Sequence, residues 1–222
     1  MNEFESGKIK LMNCDCMDYM KSLPDNAFEL AIVDPPYGIG ANKMTLGNGK
    51  NKIFRGNSDW DATAPSKEYF AELFRVSKNQ VIWGANHFIS RFAKDSSCWV
   101  FWDKGTGSND FADGELAWSS FNKTVRKFFK SWVGANAKDY ERIHPTQKPV
   151  KLYEWLLANY AKEGDRILDT HLGSGSSAIA AHYSGFEFVG MELDPDYFQA
   201  SVERFKRDTA QLDIFGGEHE RI

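Results

Sequence analysis

The chain has 222 residues, 42% of them hydrophobic and 26% charged, and a formal net charge of −4. This length suits one α/β domain with a sizeable core. The sequence contains no apolar run of about 18 residues, the length that would predict a membrane span. The first ten residues lack the apolar stretch of a signal peptide, so a cytoplasmic protein is expected. The cysteines show no CxxC pairing and the histidines no ligand spacing, so we expect neither a disulfide framework nor a metal site.

The net negative charge is unevenly distributed along the chain. Residues 121–151 hold eight basic and two acidic residues, and residues 41–58 hold four basic residues and no acidic one. Because phosphate attraction depends on the local patch, this segregation permits nucleic-acid binding. It is weak support on its own, since charge runs are more often solvated surface.

Short apolar runs alternate with segments of helical period, which indicates a sheet covered by helices. Strands are predicted at residues 8–12, 28–33, 80–83, 99–102, 115–119, 166–169 and 187–191. Helices are predicted at 16–23, 66–77, 86–92, 150–161, 174–183 and 195–207, followed by a loose tail over 211–222. Residues 38–65 are predicted to form a long loop, of a length that is usually functional or mobile. No linker divides the chain, so residues 1–222 are predicted to form a single domain.

A glycine-containing loop follows the strand predicted at 166–169. Gly173 and Gly175 permit a tight turn and close approach of the backbone to a ligand, with N–H groups of the next helix facing it. Glu192 ends the next strand, where a carboxylate can accept hydrogen bonds from both hydroxyls of a ribose. This pattern fits NAD as well as S-adenosylmethionine, although Ala178 stands where a dinucleotide motif has its third glycine.

The sequence Asp34-Pro35-Pro36-Tyr37 directly follows the apolar strand at 28–33. Two prolines hold the backbone out of the helical region, so carbonyl groups can point out of the loop. The lone pair of an exocyclic base amine is delocalised into the ring. If the Asp34 carboxylate and the Pro35 carbonyl each accept one of its N–H groups, that lone pair is localised and aimed at a methyl donor. Tyr37 offers an aromatic face to a flipped-out base. An ordinary β-turn is the alternative, and the preceding strand argues against it.

In this order, the motifs resemble those of amino-type DNA methyltransferases of the circularly permuted beta class. The resemblance covers residues 8–204 and rests on Asp15, DPPY at 34–37, HPTQKP at 144–149, DTHLGSGS at 169–176 and Glu192. It implies an α/β, Rossmann-like fold of S-adenosylmethionine-dependent methyltransferases, with a mostly parallel twisted sheet, helices on both faces and permuted motif order. The glycine-loop strand and the Asp34 strand would be neighbours at the switch point of that sheet.

The resemblance also implies roles for individual residues. The catalytic loop would comprise Asp34, Pro35, Pro36 and Tyr37. The cofactor S-adenosyl-L-methionine would be held by Asp15, Thr146, Gln147, Lys148, Asp169, Gly173, Ser174, Gly175 and Glu192. Thr170 and His171 replace the Pro-Phe that is usual in the family, and His171 is expected to fill the loop rather than to touch the cofactor.

The implied reaction is methylation of N6 of adenine in DNA, because Asp is usual for adenine at the first position of this loop and Ser for N4 of cytosine. N4-cytosine methylation is the alternative. Methylation of protein glutamine or RNA, or a noncatalytic binding module, is more remote, since Asp34 and the glycine loop are both intact.

Double-stranded DNA is the expected partner, contacted by insertions at 41–60 and 121–143. The candidate contacts are Lys43, Lys50, Lys52, Arg55, Lys123, Arg126, Lys127 and Lys130. The aromatic residues Phe128, Phe129 and Trp132 either help to read bases or form a small satellite core. The resemblance suggests two further partners, a second copy of the chain and a cognate restriction endonuclease.

Overall fold

The computed structural model of the chain describes residues 2–40, 61–106, 112–131 and 142–216, the last six of these by their backbone alone. Its strands are β1 Asn2–Ser6, β2 Ile9–Asn13, β3 Phe28–Val33, β4 Ser77–Trp83, β5 Cys98–Asp103, β6 Gly114–Ser119, β7 Arg126–Phe129, β8 Arg166–Asp169 and β9 Glu187–Glu192. Its helices are α1 Cys16–Lys21, α2 Lys67–Val76, α3 Val150–Tyr160, α4 Ser176–Tyr183 and α5 Pro195–Gly216.

The strands form one sheet in the order β1-β2-β9-β8-β3-β4-β6-β5-β7. Its centre, from β2 to β4, is parallel, whereas β6 runs antiparallel to both β4 and β5. Strand β8, which leads into the glycine loop, pairs with β3, which leads into the DPPY loop. The predicted adjacency of these two strands is therefore confirmed, as is the mostly parallel α/β fold.

Helices cover both faces of the sheet because successive residues of the central strands point to opposite faces. On β3, Leu30 and Ile32 face the cluster built from α3, α4 and α5, whereas Ala31 and Val33 face the cluster built around α2. Burial on both faces explains why the central strands appear in the sequence as continuous apolar runs. In the described part of the chain, no helix has the length and apolar character that a membrane span requires.

Three segments differ from their predicted structure. Residues 86–92 form two short 3-10 turns rather than a helix, because Phe88 adopts a non-helical conformation between them. The backbone helix α5 continues to Gly216, so the predicted loose tail is wrong for residues 211–216. Strands β1 and β7 were not predicted, because both lie at sheet edges and lack the apolar pattern of a buried strand.

Candidate active site

Acidic and glycine residues converge where the parallel strands end. Asp34 follows β3, Asp169 ends β8, and Glu192 ends β9. Because the carboxyl ends of parallel strands lie at one edge of a sheet, the three carboxylates share that edge. Asn13 pairs with Glu192 in parallel register, so Asp15 comes to the same edge two residues later.

The antiparallel strand β6 brings a further acid to this edge. Ala117 pairs with Trp83 near the carboxyl end of β4, so the first residues of β6 extend past that end. Glu115 lies there and faces the DPPY loop. Nothing in the sequence marks Glu115 as functional, since it is a single acid at the start of a short strand.

The carboxylates of Asp34 and Glu115 share one ammonium group. Lys148 Nζ lies 2.5 Å from Asp34 Oδ2 and 2.9 Å from Glu115 Oε2, and its side chain is only 2% exposed. The Tyr37 hydroxyl lies 2.8 Å from Asp34 Oδ1, to which it donates, and Lys104 forms an ion pair with the other oxygen of Glu115. Two carboxylates and two ammonium groups therefore form one charge-balanced network at the DPPY loop, which we call the Asp34 network.

Burial and charge act in opposite directions on the groups of the Asp34 network. Burial by itself lowers the pKa of Lys148, but the charges of Asp34 and Glu115 outweigh it, so this pKa is raised. Burial raises the pKa of Asp34 above its ordinary value despite the attraction of Lys148. Burial also acts to raise the pKa of Glu115, yet Lys148 and Lys104 together bring it down to about 2. Glu115 is therefore ionised, and Asp34 is the acid of the pair that is closer to taking up a proton.

The Tyr37 ring is held by two neighbours that the sequence does not indicate. Its face stacks on His87, with ring centroids 5.1 Å apart and planes inclined by 18°. Gly84, directly after β4, has φ +68° and lies so close that a Cβ would come within 2.1 Å of the ring. Only glycine satisfies both the left-handed backbone and this contact.

The glycine loop is tied to the acids at the same edge. Gly173 and Gly175 both have positive φ, and Gly175 is the N-cap of α4. The Gly173 N–H donates to Glu192 Oε2 over 2.8 Å, and the Ser177 hydroxyl donates to Asp169 Oδ2 over 2.6 Å. Burial raises the pKa of Asp169 and of Glu192 to about 7 each.

The HPTQKP segment lies between the glycine loop and the Asp34 network. The Ser176 hydroxyl donates to the backbone carbonyl of Lys148 over 2.7 Å, and the buried His144 ring lies over Gly173. Gln147 is buried and accepts a hydrogen bond from the Ile143 N–H, whereas Thr146 is exposed. The Lys148 ammonium, which the resemblance assigns to the cofactor site, lies on the two carboxylates of the Asp34 network.

Asp15, a predicted cofactor residue, and Thr170, at the departure from the family pattern, both have local hydrogen-bond partners. Asp15 is the N-cap of α1 and accepts from the Met17 N–H over 2.8 Å, with an exposed side chain. Thr170 is bonded to Tyr69 of α2 and to the His171 ring, at 2.6 and 2.9 Å. The departure from Pro-Phe is thus accommodated by a hydrogen-bonded contact with α2.

The basic strand β7 is the outermost strand next to β5, and it runs toward the same end of the sheet as the parallel central strands. Phe129 pairs with Asp103, which pairs with Gly114 beyond the carboxyl end of β4, so β7 ends on the side of the Asp34 network. Phe128 packs on Trp155, as a satellite core would require, whereas the Phe129 side chain is 63% exposed. Lys127 pairs with Asp103 at this end.

Other DNA-contact candidates are placed differently. Lys123 donates to the Asn159 carbonyl near the end of α3, away from the Asp34 network. Lys43, Lys50, Lys52, Arg55 and Trp132 lie outside the described residues.

Comparison with known proteins agrees with this arrangement. The family model described as DNA methylase matches residues 114–203. The Type II methyltransferase M2.DpnII of Streptococcus pneumoniae is 28% identical over 248 residues, which cover 92% of each chain.

Two solved structures show the same fold. The M1.HpyAVI–SAM complex has a TM-score of 0.60 at 22% identity, over 88% of this chain and 98% of that one. The PvuII DNA methyltransferase, titled cytosine-N4-specific, has a TM-score of 0.58 at 12% identity, over 94% and 92% of the two chains. The fold is that of the Rossmann-like, S-adenosylmethionine-dependent methyltransferases. The chain is thus similar to the amino-type DNA methyltransferases, the N6-adenine/N4-cytosine group, in sequence over most of its length and in fold.

The contact between Gly84 and Tyr37 generates a stability prediction with a matched control. Gly84→Ala and Gly185→Ala both place a side chain at a left-handed position, but nothing lies within 4 Å of the Cβ at Gly185. Gly185→Ala should cost about 1–2 kcal/mol of unfolding free energy, the left-handed backbone term alone. Gly84→Ala should cost at least about 1 kcal/mol more, because the Tyr37 ring must also move. Urea denaturation measures both values, and equal losses would contradict the contact.

Proposed function

We propose that this protein transfers a methyl group from S-adenosylmethionine to N6 of adenine in double-stranded DNA, as the modification enzyme of a restriction–modification system. The observation that carries the proposal is the position of the Asp34 carboxylate. It stands at the carboxyl end of β3, beside the strand that leads into the glycine loop, within a buried network of fixed charges.

S-adenosyl-L-methionine is the cofactor, and the residues at the sheet edge fit it. Glu192 ends β9 with a carboxylate that can accept from ribose hydroxyls, and Gly173 presents no side chain between that carboxylate and His144. Asp15 and Asp169 add negative charge at the same edge, which suits a cofactor that carries a sulfonium cation. When bound, the cofactor supplies an electrophilic methyl group.

The DPPY loop prepares the acceptor amine. Asp34 accepts one N–H of the base and the Pro35 carbonyl accepts the other, so that the nitrogen lone pair is turned out of conjugation and toward the methyl group. The Tyr37 hydroxyl fixes one oxygen of Asp34, while stacking on His87 fixes the Tyr37 ring against which a flipped-out base can rest. Positioning of this kind lowers the barrier by preparing the geometry before the reaction.

The choice of adenine rests on Asp34 at the first position of the loop. The fold does not discriminate between the two bases, since a protein titled cytosine-N4-specific shares it at a TM-score of 0.58. N4 of cytosine is therefore the alternative acceptor, and the same carboxylate could orient either amine.

The end of β7 is proposed to contact the DNA. Lys127, Phe129 and Lys130 stand on the side of the Asp34 network, and the apolar Phe129 ring is exposed close in sequence to two cations. Cations hold phosphates and an exposed aromatic ring can stack on a base, so this surface has the chemistry that a duplex near the catalytic loop requires. Lys123 faces away and is not needed by the proposal.

The direct test identifies the product. The protein is incubated with S-adenosylmethionine and unmethylated duplex DNA, and the nucleosides are identified by mass spectrometry. N6-methyladenine is expected from the natural sequence. Asp34→Ala should reduce transfer by at least about 100-fold, because one of two amine acceptors is lost. Cofactor affinity measured on the same preparation should stay unchanged. N4-methylcytosine as the product would overturn the choice of adenine, and full turnover by Asp34→Ala would overturn the role of the loop.

Cofactor affinity should depend on pH around neutrality. Glu192 and Asp169 each have a pKa raised to about 7 by burial, so both lose their charge as the pH falls through that value. The protonated acids no longer attract the cofactor cation, and we expect affinity to fall about tenfold between pH 8 and pH 6 for one such group. Calorimetric titration across this range measures the change. Glu192→Gln cannot titrate at this position, so its cofactor affinity should depend less steeply on pH. A cofactor affinity of the natural sequence that does not change with pH would contradict the proposed sites.

The proposed DNA surface predicts a difference between two sets of lysines. Substitution of both Lys127 and Lys130 by Ala should weaken binding and lower the slope of log affinity against log salt by about 2, one for each phosphate contact. Lys123→Ala serves as the control, since its ammonium lies on the Asn159 carbonyl. Fluorescence anisotropy with a labelled duplex at several salt concentrations measures the slopes. An unchanged slope in the double variant would move the DNA surface elsewhere.

A further inference from the structure

The Asp34 network contains more charge than the methylation chemistry described above requires. Asp34 and the Pro35 carbonyl suffice to accept the two amine protons, yet Glu115, Lys148 and Lys104 are all held within the network. Two of these residues, Glu115 and Lys104, stand outside every motif that marks the family. Both side chains are largely withdrawn from solvent, and this placement calls for an explanation, because removing charges from water is costly.

The position of Lys148 creates a conflict for Asp34. Its ammonium lies 2.5 Å from Oδ2, and the Tyr37 hydroxyl already donates to Oδ1 over 2.8 Å. Such a carboxylate still has free lone pairs, but the adjacent ammonium neutralises its charge, so it accepts a further N–H group less strongly than an unpaired carboxylate would. An exclusive Lys148–Asp34 ion pair would therefore oppose the binding of the base amine.

Glu115 offers Lys148 a second partner of the same charge and type. The distance from Lys148 Nζ to Glu115 Oε2 is 2.9 Å, so the ammonium can form its hydrogen bonds with Glu115 without leaving the network. Lys104 holds the opposite oxygen of Glu115, and the Tyr37 hydroxyl lies 3.1 Å from Oε2. Glu115 is thus held by Lys104 at one oxygen and lies close to Lys148 and Tyr37 at the other.

We propose that Glu115 is a positioning residue for methyl transfer, which holds Lys148 by Oε2 so that an oxygen of Asp34 stays available to the amino group of the target base. Lys104 anchors Glu115 in this role. The inference rests on the proposed function of Asp34, and it applies equally if the acceptor is N4 of cytosine.

A purely structural role for Glu115 has different consequences. Loss of a structural ion pair would loosen the edge of the sheet and weaken cofactor binding along with turnover. A positioning role affects Asp34 alone, and therefore lowers kcat while the affinity for the cofactor is kept.

The pH profile separates the two roles further. The groups that face Asp34 are Lys148, Glu115, Tyr37 and, from the neighbouring strand β8, Asp169. The negative charge of Glu115 contributes to the raised pKa of Asp34, so its removal should move the acidic limb of kcat to lower pH. Simple loosening of the structure would reduce kcat at every pH without moving that limb.

The experiment compares Glu115→Gln, Glu115→Asp and the control Glu187→Gln in the full chain. Glu187 is a half-exposed acid paired with Arg166 at the amino end of β9, the edge opposite the Asp34 network. The kcat, the KM for DNA and the pH profile are measured with the mass-spectrometric assay, and the cofactor Kd by calorimetry.

Glu115→Gln should lower kcat by about 10- to 100-fold with the cofactor Kd unchanged, and should shift the acidic limb downward. Glu115→Asp keeps the charge and should recover part of the rate, whereas Glu187→Gln should behave as the natural sequence. If Glu115→Gln does not fold, Glu115→Asp replaces it, with a smaller fall in kcat expected at constant cofactor Kd.

Two results would overturn the inference. One is a kcat for the Glu115 variants equal to that of the natural sequence. The other is a fall in kcat that is matched by an equal loss of cofactor affinity, with the acidic limb of the kcat profile at the same pH as in the natural sequence. Failure of the proposed function is seen separately, because the natural sequence would then yield no methylated base in the same assay.

Discussion

The ion pairs of Lys148 with Asp34 and Glu115 connect parts of the chain that are far apart in sequence. Lys148 comes from the segment before α3, Asp34 from the loop after β3, and Glu115 from the start of the antiparallel strand β6. Each of these charges is costly to bury alone, and the balance of two carboxylates and two ammonium groups is complete only with Lys104, which pairs with Glu115. This charge balance makes the DPPY loop depend on the correct pairing of the sheet.

The order of the strands in the sheet brings these loops together. Since β8 and β3 are parallel neighbours, the glycine loop and the DPPY loop leave the sheet at the same edge. The HPTQKP segment lies between them, bonded to α4 through the Lys148 carbonyl and to Asp34 through the Lys148 ammonium. A single lysine therefore connects the glycine-loop side of this edge to the DPPY loop, although the two loops are separated by more than 130 residues in sequence.

Backbone geometry sets the position of the aromatic residue. The Tyr37 ring lies against Gly84, whose left-handed conformation leaves no room for a side chain. Gly84 follows β4 directly, so the neighbouring strand determines where the Tyr37 ring can stand. Gly173 also has a left-handed backbone, but there a Cβ would lie at an ordinary contact distance of 3.7 Å from the His144 ring.

The sequence alone determined most of the fold and indicated the residues proposed to hold the cofactor. Buried strands, capped helices and the glycine loop have local patterns, because each depends on residues close together in the chain. Only the tertiary structure revealed Glu115, Lys104, Gly84 and His87 as neighbours of the DPPY loop, since antiparallel pairing and the end of β4 bring them there and no local pattern marks them. The 3-10 turns at 85–91 and the edge strand β7 were likewise decided by packing, because their own sequences favour other structures or none.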